Sequence, residues 1–155
     1  MEELTDTSQL GERGEFLFVL QAVLMLLVAF PAKGLSDFIT TLGFFSFLAG
    51  LGMIAWSASE LGDSLSPLPK PRENAELVTD GPYKYVRHPM YSALLLSSFG
   101  LGIATSNATR VVLSVAMLLL LDRKATKEED FLVERFGDAY AAYQGSVKKL
   151  IPWLY

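Results

Sequence analysis

Hydrophobic and polar positions alternate along this chain in long blocks, without the short periods of an amphipathic domain. Phe38–Ala58 is uncharged for 21 residues and Pro89–Thr109 for another 21. Each is long enough to cross a hydrocarbon core at about 1.5 Å of rise per residue. Phe16–Ala32 is also uncharged, though it carries Gln21 and ends beside Pro31, and Val111–Leu121 adds a shorter apolar run of 11. A soluble bundle would need helices that are polar on one side, whereas Leu42–Ala58 is apolar all round apart from Ser and Gly. The pattern therefore predicts an all-α, polytopic membrane protein with about four transmembrane helices and a C-terminal amphipathic helical segment. As a single domain it reads as an acidic tail over 1–15, two spans over 16–58, a connector over 59–88, two further spans over 89–121 and C-terminal helices over 122–155.

Charge refines this picture. With four spans, eleven of the thirteen basic residues fall on the side that holds both termini and the connector, and only Lys33 and Arg110 fall on the other. Such a bias places both termini and the 59–88 connector on the cytoplasmic side or its organellar equivalent. The net charge is −4 and the basic residues are scattered among acidic ones, so nothing points to nucleic acid as a partner. There is no cysteine and only one histidine, which removes thiolate nucleophiles, disulfides and the usual metal sites. No metal is expected. Membrane lipids are the partners that this composition suits.

The connector alternates Pro67, Pro69 and Pro71, which reads as an extended stretch, and Leu77–Thr79 leads into the Asp80-Gly81-Pro82 turn. Then comes Gly81-Pro-Tyr-Lys-Tyr-Val-Arg-His-Pro-Met-Tyr91. Pro89 suits the first position of a helix, so Arg87 and His88 should flank a helix N-terminus, where backbone N–H groups and a fixed charge favour a carboxylate or phosphate. A membrane-interface anchor is the plainer reading of the same pair. Gly50, Gly52, Gly100 and Gly102 lie within apolar runs and predict close helix packing. After Leu121 the chain turns amphipathic. Thr126-Lys-Glu-Glu129 fits a capping box, which predicts a helix start at Thr126 and assigns the Glu129 carboxylate to backbone donors, leaving Glu128 to point elsewhere. Gly137 predicts a helix end, Asp138–Gln144 a short helix with Tyr140 and Tyr143 as packing residues, and Pro152-Trp153 a return to the membrane interface.

The two separated blocks, GPYKYVRHPMY and the later Glu pair followed by FG and Y-x-x-Y, resemble the isoprenylcysteine carboxyl methyltransferase and phospholipid methyltransferase group of membrane enzymes. The resemblance covers about Leu61 to Pro152. It implies methyl transfer from S-adenosyl-L-methionine to a lipophilic small-molecule or lipidated acceptor in a pocket at the cytosolic face. By position it implies cofactor binding by Ala75, Glu76, Leu77 and Val78, by Tyr83, by His88, Pro89, Met90 and Tyr91, and by Glu128. Arg87, Lys124 and Glu128 are the candidate catalytic residues. Two positions depart from the group's pattern: Ala93 stands where Gly is common, and Lys124 stands where relatives that bind a carboxylate substrate carry Arg. Lys attracts a carboxylate without the bidentate fork, so a prenylcysteine carboxylate, a phospholipid amine and a non-catalytic relative that keeps the cofactor pocket all stay open as readings.

Overall fold

A computed structural model of the chain describes residues 21, 23, 25, 33–66 and 75–155. The acidic tail, most of Phe16–Ala32 and the Pro67–Pro71 connector lie outside these residues. The chain divides after Phe38 into two compact units. In the first, Gln21, Val23, Met25 and residues 33–38 are helical. Apart from the first residues of the first long helix, everything described below belongs to the second.

The described residues contain helices and turns but no named strand. Helix α1 spans Lys33–Leu61 and ends at Gly62, whose φ of 48° turns the chain into a short 3₁₀ segment. A second 3₁₀ turn, Gly81–Lys84, leads through Val86 to α2, Pro89–Ala104. His88 caps α2 and Pro89 takes its first position, as the sequence predicts. Helix α3 runs Ala108–Phe136, and α4 runs Asp138–Ser146 after Gly137, whose φ is 54°.

Two boundaries differ from the sequence reading. The uncharged Pro89–Thr109 run is not one span: it breaks at Thr105–Asn107, where the Asn107 side chain accepts from Arg110 N at 3.0 Å and starts α3. An N-cap inside an uncharged run is invisible to a count of charges. Conversely, no helix starts at Thr126. α3 passes through it unbroken, its backbone donors already satisfied within the helix, and Thr126 Oγ1 bonds back to Asp122 O at 3.1 Å.

Among the described residues one stretch, Gly34–Ser64, is long and apolar enough to cross a membrane; α2 is a shorter apolar helix. In the second unit, α1 leaves Leu42, Phe44, Phe45, Leu48, Leu51 and Trp56 exposed, an apolar face that water would not tolerate as a continuous patch. Its other face meets α2 through glycine. A Cβ on Gly50 would stand 2.7 Å from Ser97 N, and one on Gly100 would stand 2.5 Å from Phe47 N. Gly102 presses instead on Val111, and Gly52 faces open space, so of the four expected packing glycines that one does not pack. α2 lies along α3, with Leu95, Leu121 and Leu150 at the centre of the core and Tyr91, Phe99, Met117 and Leu118 around them. The chain after α4 closes on the entry to α2, with Arg87 N donating to Lys148 O at 2.8 Å, His88 N to Lys149 O at 3.1 Å and Ser92 Oγ to Leu150 O at 2.6 Å.

Gly50→Ala and Gly52→Ala should therefore part company. The first forces a methyl into the α2 backbone and is expected to destabilise by about 1–3 kcal/mol; the second should be neutral or stabilise by up to about 1 kcal/mol through helix propensity. Thermal unfolding of both variants in detergent checks this.

Candidate active site

α1 and its 3₁₀ extension, the 75–78 strip, the 81–91 turn, the charged half of α3 and helix α4 enclose a cavity of about 410 Å³, within the usual size range of small-molecule sites. Every candidate cofactor-binding and catalytic residue lines it: Ala75, Glu76, Leu77 and Val78 on one strip, Tyr83 and Arg87–Tyr91 on the next, and Lys124 and Glu128 on α3. Three residues that the sequence assigns to packing or to a helix cap belong to the same place. Tyr140 and Tyr143 line the cavity, and Glu129 holds its floor together.

Glu129 is buried, with about 8% of its side chain exposed. Its Oε1 accepts from Arg87 Nε at 2.7 Å and lies 3.0 Å from His88 Nε2, and its Oε2 accepts from Gln144 Nε2 at 3.0 Å. It is not the helix cap that the Thr126 spacing suggests. Mid-helix, positions 126 and 129 lie about one turn apart with no free backbone donors between them, so the carboxylate turns inward to Arg87. Burial alone would raise the Glu129 pKa; the hydrogen bonds from His88 and Arg87 and the Arg87 charge outweigh it and hold the carboxyl down at about 2, against an ordinary 4.5.

Arg87 is engaged by the protein as well. Besides Glu129, its Nη1 donates to Gln144 O at 3.2 Å and to Val147 O at 2.5 Å. Although it flanks the α2 N-terminus as expected, its guanidinium ties α2 to α3 and to the chain end. A single sequence cannot reveal this, since Arg87 and Glu129 are 42 residues apart.

The other α3 carboxylate has a different setting. Glu128 Oε2 accepts from Tyr91 Oη at 2.7 Å and lies 3.8 Å from His88 Nδ1. The Tyr91 ring stacks on His88, with centroids 5.4 Å apart and planes 4° from parallel, and Lys124 Nζ sits 5.3 Å from the Tyr91 centroid. Tyr143 Oη donates to Tyr83 O at 2.6 Å, and Tyr83 Oη to Ser57 O at 3.4 Å. Burial raises the pKa of Tyr83, Tyr140 and Tyr143, so all three stay protonated. The buried Tyr140 hydroxyl alone of the three has no hydrogen-bond partner among the described residues. Beneath the site, Lys149 Nζ donates to Asp122 Oδ1 at 2.6 Å and to Thr126 Oγ1 at 2.8 Å, and the Lys149 hydrogen bond lowers the Asp122 pKa.

The phospholipid methyltransferase family model matches residues 38–139, most of the fold described above. The chain belongs to the phospholipid methyltransferase family. It is 34% identical over 96 residues to the protein-S-isoprenylcysteine O-methyltransferase of Schizosaccharomyces pombe, covering 60% of this chain and 41% of that one. It is 35% identical over 109 residues to the cobalt-zinc-cadmium resistance protein CzcN of Cupriavidus metallidurans, covering 69% and 50%. Its fold is shared with a solved eukaryotic intramembrane isoprenylcysteine carboxyl methyltransferase, at a TM-score of 0.70 and 23% identity over 88% of this chain and 52% of that one. This family member thus spans about half the length of these relatives.

Glu129 should dominate acid stability. Because its folded pKa is depressed, its contribution is complete above about pH 4.5 and is lost as pH falls towards 2, by roughly 3 kcal/mol in all. Denaturant unfolding across that window should show a step in the wild type that is missing in Glu129→Gln. Tyr140→Phe removes a hydroxyl with no partner and should leave stability unchanged or raise it by about 1 kcal/mol; a loss of that size in a melting experiment would contradict the geometry.

Proposed function

We propose that this protein is an integral membrane methyltransferase that uses S-adenosyl-L-methionine to methylate a lipophilic or membrane-delivered acceptor, a prenylcysteine-type carboxylate foremost. The observation that carries the reading is the convergence of two distant family blocks, Tyr83–Tyr91 and Lys124–Glu128, on one cavity. Four spans within a single domain, with the site on the cytoplasmic side, agree with the distribution of basic residues and with the exposed apolar face of α1.

The cavity fits such a donor. Its polar wall sets the Glu128 carboxylate beside His88, while Leu61, Leu65, Leu77, Met90, Leu94 and Leu132 make much of the rest apolar. S-adenosylmethionine, when bound, supplies a methyl group already activated by its sulfonium, so neither a metal nor a protein nucleophile is required. The residues are then left with binding, orientation and exclusion of water. Ala75–Val78, Tyr83, His88–Tyr91 and Glu128 would hold the donor, and the rings of Tyr83, Tyr91, Tyr140 and Tyr143 keep that end dry. Lys124 steers an anionic acceptor from the α3 side. Arg87 acts from behind by fixing Glu129.

Calorimetric titration in detergent should show S-adenosylmethionine binding, weakened by about 1–3 kcal/mol in Glu128→Ala. Lys124→Ala should lower the acceptor-dependent rate with donor affinity nearly intact. With a prenylcysteine analogue, Lys124→Arg should preserve or raise turnover through a bidentate contact; with a phosphatidylethanolamine analogue it should be neutral or harmful. No donor binding by the wild type would overturn the reading.

A further inference from the structure

The sole histidine sits between two carboxylates that treat it unequally. On one side, Glu129 Oε1 lies 3.0 Å from Nε2. An ionised carboxylate only accepts hydrogen bonds, so Nε2 carries the proton. On the other side, Nδ1 and Glu128 Oε2 are 3.8 Å apart, beyond hydrogen-bonding distance. A proton on Nδ1 would draw that oxygen in to about 2.8 Å by a charge-assisted bond. Instead the same oxygen is taken by the Tyr91 hydroxyl at 2.7 Å. The ring cannot readily turn to exchange its nitrogens, since it is buried, stacked on Tyr91 and attached to a backbone that is itself bonded to Lys149 O.

We propose that Glu129 is a positioning residue that fixes His88 as the Nε2–H tautomer, so that Nδ1 and the Glu128 carboxylate together accept a primary ammonium group of a ligand. Two acceptors 3.8 Å apart can both be reached by one ammonium nitrogen at about 2.8 Å from each. The negative charge of Glu128 favours a cationic donor over a hydroxyl, and Glu129, neutralised by Arg87, is kept out of the competition. The arrangement assigns the two adjacent glutamates separate tasks: Glu128 faces the ligand, and Glu129 faces the protein and sets the ring that works with Glu128. The inference rests on the methyltransferase reading only for the ligand's identity. The ammonium belongs either to the amino-acid end of the methyl donor or to an amine acceptor.

Because the chain has one histidine, protein labelled with ¹⁵N-histidine gives a single pair of ring-nitrogen signals. Near pH 7 without ligand, the expected result is one protonated-type signal at Nε2 and one unprotonated-type signal at Nδ1. The opposite tautomer, or two protonated nitrogens, would overturn the proposal without any variant being needed. S-adenosylhomocysteine, which carries the ammonium, should then move the Nδ1 signal, and 5′-methylthioadenosine, which lacks it, should not. A response to lysophosphatidylethanolamine but not to S-adenosylhomocysteine would place the ammonium on the acceptor. Binding of the ammonium ligands by calorimetry with no movement of Nδ1 would sink the idea. Glu129→Gln should weaken the tautomer preference and reduce S-adenosylhomocysteine affinity by about tenfold, while Glu129→Asp, which keeps the charge, should retain the tautomer. If no adenosyl ligand binds the wild type at all, the methyltransferase reading falls, and the tautomer and the ethanolamine arm still decide this one.

Discussion

A carboxylate buried beneath the cavity organises this protein. Removing Glu129 from water would by itself favour its neutral form; the hydrogen bonds and charges of His88 and Arg87 keep it ionised, and Gln144 completes its partners. Those donors come from the entry to α2 and from α4, so a single desolvated charge fixes three parts of the chain in register. The cavity wall is a by-product of that register. His88 presents one nitrogen to Glu129 and the other to the cavity, Tyr91 lies parallel to it, and Glu128 is drawn to the Tyr91 hydroxyl one residue away on α3. Removing Arg87 or Glu129 alone would leave the other's buried charge unpaired, which is more costly than never having had the pair.

The apolar part of the molecule meets a different constraint. α1 has little polar surface and exposes large side chains along one face, so its contact with α2 depends on shape rather than on burial from water. Gly50 and Gly100 let the two backbones approach, and the end of α1 with its 3₁₀ extension then delivers Leu61 and Ser64 to the cavity lining. Close packing in the apolar half thereby sets the position of a wall in the polar half.

Much of this was readable from residue order, and the misses have physical causes. Pro89 after His88 marked the start of α2, because a residue without an N–H loses nothing there. Gly137 marked the end of α3 for its left-handed backbone. The motif blocks carry the candidate site residues and the Y-x-x-Y pair on α4, whereas Leu94 and Leu132 line the cavity as ordinary apolar helix positions with no local signal. Three features were hidden. The Thr126–Glu129 spacing imitates a helix start, yet the same spacing mid-helix places Glu129 about a turn below Thr126, and only the fold reveals which carbonyls and donors are already satisfied. Asn107 broke an uncharged run that hydropathy treats as continuous. Arg87 and Glu129 find each other across 42 residues, a separation at which local pattern carries no information.

The most direct test is a double-mutant cycle between Arg87→Met and Glu129→Leu, read both by unfolding in detergent and by S-adenosylhomocysteine affinity. Each single change leaves a buried charge unpaired and should destabilise by about 3–5 kcal/mol, whereas the double change replaces the pair by apolar side chains and should regain most of that loss. Ligand affinity should not recover with stability, because His88 would have lost the carboxylate that orients it. Additive destabilisation, or a stable double variant that binds ligand as the wild type does, would contradict the view that this buried pair builds the site.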